Sequence, residues 1–248
     1  MVEVASVKSN QDGWSPQSII AFSNELRTAI GLLKFGLHTL KEIDMANDFY
    51  HLPLLLLASG LERLSKCVLV LQYRVSNGSF PPHTWLKELG HNLEKLIDEI
   101  VKRCYPEETN QPQALKEDRS FIVSDPIARK LIEILTQFGS GGRYHDLDTI
   151  CGEALGEQPP EQKWQELEME IVQNDSVLKT LLGRPSMGNV LYREINRRIQ
   201  ITIERLVRAL CRLFSLGSLS HQGRQLSVML TDFLYLKDKD LGTRSCWL

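Results

Sequence analysis

Apolar residues recur at steps of three and four along most of the chain, the spacing of amphipathic α-helices. Ile19, Ile20, Phe22, Leu26, Ile30, Leu33, Leu37 and Leu40 form the first series. Ser15-Pro16 precedes it as an N-cap followed by proline at the first helical position. A helix is predicted from there to about residue 43. The second helix opens near Asp48, tolerates Pro53 in its first turn and runs to about Tyr73. Asn77-Gly78-Ser79-Phe80-Pro81-Pro82 is a loop. A short helical turn is predicted over 84–89 and a third helix over 91–104, with Leu93, Leu96, Ile97, Ile100 and Val101 on one side. Residues 105–126 carry a weak pattern and read as a connection, with a short extended piece at Phe121-Ile122-Val123. A fourth helix is predicted over 127–138, stopped by Gly139-Ser140-Gly141-Gly142. Residues 143–156 read as a loop or short helix. An acidic helix follows over 161–182, then Gly183-Arg184-Pro185 breaks the chain. Two more helices are predicted over 188–216 and 222–236.

No alternating pattern supports a sheet and no internal repeat is visible. The fold class is therefore all-α, a bundle of about six to eight helices. Residues 1–145 are expected to form the core and 146–248 a helical extension packed on it.

Composition narrows the setting. The chain has 248 residues, 42% of them hydrophobic and 24% charged, which is ordinary for a soluble globular protein. The net charge of −2 neither favours nor excludes a polyanionic partner, so only the placement of charge carries information. The five cysteines, Cys67, Cys104, Cys151, Cys211 and Cys246, contain no CxxC pair and read as reduced thiols. Residues 1–12 lack the basic-then-apolar plan of a signal peptide. The most apolar stretch, 52–71, contains Glu62, Arg63 and Lys66, which argues against a membrane span. A cytoplasmic location is expected.

The second helix carries a polar stripe. At 100° per residue, Ser59, Glu62, Arg63, Lys66 and Tyr73 share a sector of about 100° on a Leu- and Val-rich helix. One reading is a solvated face with an ordinary Glu62–Lys66 pair. The other is a cleft lined by Glu62, Lys66 and Tyr73, favoured by the apolar remainder of the helix.

The segment Gly60-Leu61-Glu62-Arg63-Leu64-Ser65-Lys66, followed after a loop by Leu89-Gly90-His91-Asn92-Leu93-Glu94-Lys95-Leu96, resembles the HEPN superfamily. The Glu-x-x-x-Lys step, the Gly-His-Asn/Asp-Leu-x-x-Leu step and Arg143-Tyr144 after a glycine-rich break carry the likeness, over about residues 47–145. The resemblance implies a helical bundle of the kind found in prokaryotic toxin–antitoxin, abortive-infection and other antiviral systems. Active ribonucleases of that family carry an Arg followed, after four to six residues, by His. None of His38, His51, His83, His91, His145 and His221 has an Arg five to seven positions upstream. The family's nuclease residues therefore do not carry over. What the resemblance implies instead is a binding or scaffold subunit that self-associates or pairs with a partner protein.

The residues themselves leave an enzymatic alternative, a metal-independent endoribonuclease with a divergent site. Its catalytic candidates are His91, Arg143 and His145: histidine to move protons, and arginine to hold a phosphate bidentately. His91 equally fits a capping or core histidine. No metal-ligand spacing, Walker loop, GxGxxG or GxSxG element is present, so no metal or cofactor is expected.

The helix over 188–216 carries the sharpest charge pattern. Arg193, Arg197, Arg198, Arg205, Arg208 and Arg212 fall within about 140° of one another, opposite an Ile- and Leu-rich side. Set against Glu194 and Glu204, they leave a local charge of +4. An RNA or DNA backbone would meet such a stripe, and so would an acidic protein surface. Within the chain, the acidic partner is the preceding helix, with Glu161, Glu166, Glu168, Glu170 and Asp175.

Overall fold

The computed structural model describes residues 14–105, 111–152, 158–244 and 247. Residues 1–12, Cys246 and Leu248 lie outside them. Among the described residues every regular element is a helix. α1 (Pro16–Leu40) starts as its sequence dictates, with Ser15 Oγ accepting from Ser18 N at 3.1 Å and Pro16 in the first turn. It ends three residues before the predicted stop. α2 (His51–Asn77) returns antiparallel to α1. Leu26, Leu33, Leu37 and Leu40 are fully buried on one side of α1, each worth roughly 1.5–3 kcal/mol of apolar burial. The two helices approach closely at Gly60, where a Cβ would stand 2.8 Å from the Leu33 side chain and 3.1 Å from its backbone nitrogen. Gly60 is thus explained by packing alone.

α3 (His83–Glu88) and α4 (Leu93–Cys104) follow. Next comes α5 (Gln113–Ser124), which corrects the predicted connection: Phe121, Ile122 and Val123 are helical, not extended. α6 (Pro126–Gly139) is capped by Asp125, whose side chain accepts from Ala128 N at 2.9 Å. A 3-10 turn (Gly142–Tyr144) leads into α7 (His145–Ile150). The single acidic helix expected over 161–182 is two helices, α8 (Pro160–Gln173) and α9 (Ser176–Leu182). Asn174 ends the first, and Asp175 caps the second, accepting from the backbone nitrogens of Val177 and Leu178. α10 (Gly188–Leu216) matches its prediction. The last predicted helix is instead α11 (Ser220–Leu226), a 3-10 turn and α12 (Thr231–Leu234). These breaks raise the number of helices above the six to eight expected.

α10 is the axis of the molecule, packed by α1, α2, α5, α6, α8, α9, α11 and α12. Buried side chains form one continuous cluster from Trp14 to Trp247, across the boundary expected at residue 145. Cys67, Cys104 and Cys211 are buried and unpaired, and burial pushes the Cys104 thiol up to about 12, so it is unreactive. Among the described residues no helix is long and apolar enough to cross a membrane.

Candidate functional site

The polar stripe of α2 floors a cleft of about 350 Å³. Its walls come from α1, the turn before α4, the end of α6 and the 3-10 turn that follows. Glu62, Lys66, His91 and Arg143 converge there. Glu62 Oε1 accepts from Lys66 Nζ at 2.7 Å and from His91 Nδ1 at 3.0 Å. An ionised carboxylate only accepts, so the His91 proton sits on Nδ1. In neutral His91 the basic nitrogen is then Nε2. The His91 side chain is 70% exposed, whereas that of Glu62 is mostly covered.

Local sequence explains why these residues meet. Glu62 and Lys66 are four residues apart and share one helix face. Gly90 adopts a positive φ of 61°, which turns the chain out of α3 and into the His91 turn. Asn92 then caps α4, its side chain accepting from Lys95 N at 2.8 Å. Thr136 Oγ1 accepts from Glu94 N at 3.0 Å, which ties the start of α4 to α6. The glycine-rich break after α6 brings Arg143 to the cleft.

The electrostatics of the cleft are uneven. Arg63 pairs with Glu25 at 2.6 Å and Lys66 with Glu62. Arg143 forms no ion pair with a described residue, and its guanidinium carbon lies 5.0 Å from the centre of the Tyr144 ring. Among the described residues that line the cleft, three cations, Arg63, Lys66 and Arg143, thus stand with two carboxylates, Glu25 and Glu62. The excess is +1, or +2 when His91 is protonated. Glu25 and Phe138 also line the cleft, and no local pattern in the sequence pointed to either. Of the other hollows, one of about 170 Å³ lies between α6 and α8, where Lys130 pairs with Glu170 and Lys163 with Glu133. Another lies along the outer face of α8.

Two of the grouped residues fall elsewhere. Tyr73 shares the helix face of Lys66 but lies two turns further along, about 10 Å away at 1.5 Å per residue. Its ring packs on Trp85, 4.9 Å between centres. His145 heads α7 and is not among the residues lining the cleft.

The arginine stripe had two readings, a surface for a nucleic acid or an acidic partner and a face paired within the chain; its arginines mostly meet partners inside the molecule. Arg208 is 3% exposed, donates to the Leu236 carbonyl at 2.8 Å and pairs with Asp238 at 2.6 Å. Arg212 meets buried Asp118 at 2.9 Å, and Arg198 meets Asp175 at 2.7 Å. Arg197 pairs with Glu194 within α10, and Arg205 lies over the Phe121 ring at 4.2 Å. Arg193 is exposed. The partners come mainly from α5 and from the chain after α12, with only Asp175 from the acidic stretch. Glu161, Glu166, Glu168 and Glu170 have other partners: His51, Gln158, Tyr50 with Trp164, and Lys130. Glu204, inside the arginine sector, is fully buried.

Among the described residues no group of three His, Cys, Asp or Glu side chains is placed to hold a metal ion. Comparison with protein-family models, with curated proteins and with solved structures finds no match. The site is therefore defined by its own chemistry: an open, cation-rich cleft on an all-α bundle, with one histidine oriented by a carboxylate.

Proposed function

We propose that the chain is a HEPN-like helical module of a prokaryotic defence or toxin–antitoxin type assembly, whose α2 cleft binds a phosphate-bearing partner, RNA foremost. The likeness of the Gly60–Lys66 and Gly90–Leu96 segments supports the setting. One observation carries the ligand: Arg143 lines the cleft with Lys66 and His91 and forms no ion pair with a described carboxylate. Guanidinium groups so placed take phosphate oxygens in pairs. Arg143→Ala should weaken RNA binding at low salt about tenfold and flatten its salt dependence. Arg193→Ala, on the stripe, should leave it unchanged. Fluorescence anisotropy with labelled RNA measures both. Equal affinity of Arg143→Ala and the parent protein would refute the assignment.

A second reading, the metal-independent endoribonuclease, is favoured by the Glu62–His91 contact. Glu62 fixes the Nδ1 proton, so Nε2 is free to accept the proton of a ribose 2′-hydroxyl as it bonds to the adjacent phosphorus; the P–O5′ bond breaks, the departing 5′-oxygen takes a proton from water, and Arg143 meets the charge on the phosphate. His145 has no part in it, because it does not line the cleft. Incubation with RNA in the presence of a chelator should then give 2′,3′-cyclic phosphate ends. His91→Ala should slow their appearance about a hundredfold. RNA that stays intact with the parent protein excludes this reading and leaves the binding role in place.

A further inference from the structure

Beyond the residues that line the cleft, the same face of α2 continues toward the start of the helix. On α2, His51, Leu55, Ser59, Glu62 and Lys66 lie within about 80° of one another at 100° per residue. From His51 to Glu62 the stripe runs about 16 Å along the helix axis. Its far end is aromatic. Phe138, which lines the cleft, meets the His51 ring edge-on with centres 5.0 Å apart. His51 in turn stacks on Phe49, at 6.1 Å and an interplanar angle of 26°. Phe138 is fully buried and Phe49 is 61% exposed, so the row of rings leads from the interior to solvent. The Asn47 side chain accepts from Phe49 N at 3.2 Å, holding the loop that presents this ring.

The charges divide the same way. Lys66 and Arg143 line the cleft itself, and Lys66 lies fifteen residues along α2 from His51. At the start of the helix, Glu161 Oε1 lies 3.6 Å from His51 Nδ1, and Asp48 precedes Phe49 in the chain. Phosphate is attracted to the cleft and repelled from the start of the helix. A flat, uncharged ring with amino edges suits the latter. The two ends are further apart than the parts of one nucleotide.

We propose, resting on the phosphate-binding reading above, that the cleft takes a single-stranded polynucleotide, with phosphates at Lys66 and Arg143 and a base stacked on the Phe49–His51 ring pair. A duplex keeps its bases stacked on each other and offers this ring pair none. Stacking on an exposed aromatic side chain is tolerant of base identity. The site therefore selects strandedness before sequence.

The test uses the full chain and a short fluorescein-labelled oligonucleotide in three forms: single-stranded RNA, single-stranded DNA of the same sequence, and duplex RNA. Both single strands should bind tighter than the duplex, and a preference for RNA over DNA would add a contact to the 2′-hydroxyl. Phe49→Ala should weaken single-strand binding about tenfold and leave duplex binding unchanged. Phe49→Trp should keep the affinity, and its added emission should be quenched by single strands beyond any quenching of the parent protein. If Phe49→Ala binds single strands like the parent and the Phe49→Trp emission is unmoved by a bound strand, the stacking subsite is wrong while the phosphate site stands. If none of the three forms binds the parent protein, both readings fall together.

Discussion

Replacing Trp247 with alanine is expected to destabilise the fold by about 4 kcal/mol, the middle of the range for losing a fully buried tryptophan. Trp247 is 2% exposed and stacks on Phe233, with ring centres 4.4 Å apart and planes within 16°. The Arg244 guanidinium also lies over its ring, at 4.6 Å. Its indole N–H donates to Glu204 Oε1 at 3.1 Å. Glu204 is fully buried on α10, and burial raises its carboxyl above the ordinary range. Gln200, Gly242 N and Trp247 are the donors that oppose this. Trp247→Ala thus opens a cavity and removes a donor from a buried carboxylate. Trp247→Phe keeps one stacked ring and loses the donor together with part of the indole's packing, so it should cost less, about 1–3 kcal/mol. For a chain of this size the alanine variant should melt about 10 °C lower. Urea midpoints and thermal melts followed by circular dichroism check both values. Equal losses for the two variants would mean that the stacked ring does not carry the effect.

The same stretch shows where one-dimensional reading stops. The start of α1 was legible because its cap is local: Ser15 and Pro16 act on the residues directly after them. α5 was not, because Asp118 stands in its apolar stripe. Leu115, Asp118, Phe121 and Ile122 are its buried residues, at regular helical spacing. The carboxylate there reads as polar and breaks the pattern. It belongs in the core only because Arg212, far along the chain, reaches it at 2.9 Å. Breaking such a buried pair typically costs about 3–5 kcal/mol. The partners of the arginine stripe were legible only in part, for the reciprocal reason. Asp175 stood in the neighbouring acidic stretch, whereas Asp118 on α5 and Asp238 arrive from segments whose approach no spacing rule encodes.

In the cleft the division is similar. Glu62 and Lys66 were legible as one helix face, and the Gly90 and Gly139–Gly142 breaks marked the turns that carry His91 and Arg143. Tyr73 satisfied the angle but not the distance along the axis. Glu25 could not be read, since it enters from α1 through the ion pair with Arg63. Angular position on a helix is a local property. Axial register between two helices is set by contacts such as Gly60 against Leu33, which only the folded chain supplies.

Glu168 should make stability fall as pH rises from about 5 to 8, by about 3 kcal/mol. The residue is 5% exposed. Tyr50 Oη donates to its Oε2 at 2.9 Å and Trp164 Nε1 to its Oε1 at 3.1 Å. Burial outweighs these two donors and pushes the carboxyl from 4.5 up to about 7. The native state then holds a proton that the unfolded chain releases near 4.5. Between those values the native state binds more protons, so its stability declines with rising pH and levels off above about 7. Asp175 and Asp238 are held below the ordinary carboxylate range, Asp175 first by the backbone hydrogen bond from Leu178 N and Asp238 first by the hydrogen bond from the Arg208 guanidinium. Their contribution is lost as pH falls through the native-state values, in a more acid window. Glu168→Gln separates the effects. The amide keeps the volume, its oxygen can accept from Trp164 and its nitrogen can donate to Tyr50. Urea midpoints of both proteins from pH 5 to 8 should converge at the acid end and diverge above pH 7, with the glutamine form more stable there by about 2–3 kcal/mol. Two parallel curves would mean that Glu168 is already ionised in the native protein at pH 5, and that the two donors outweigh its burial.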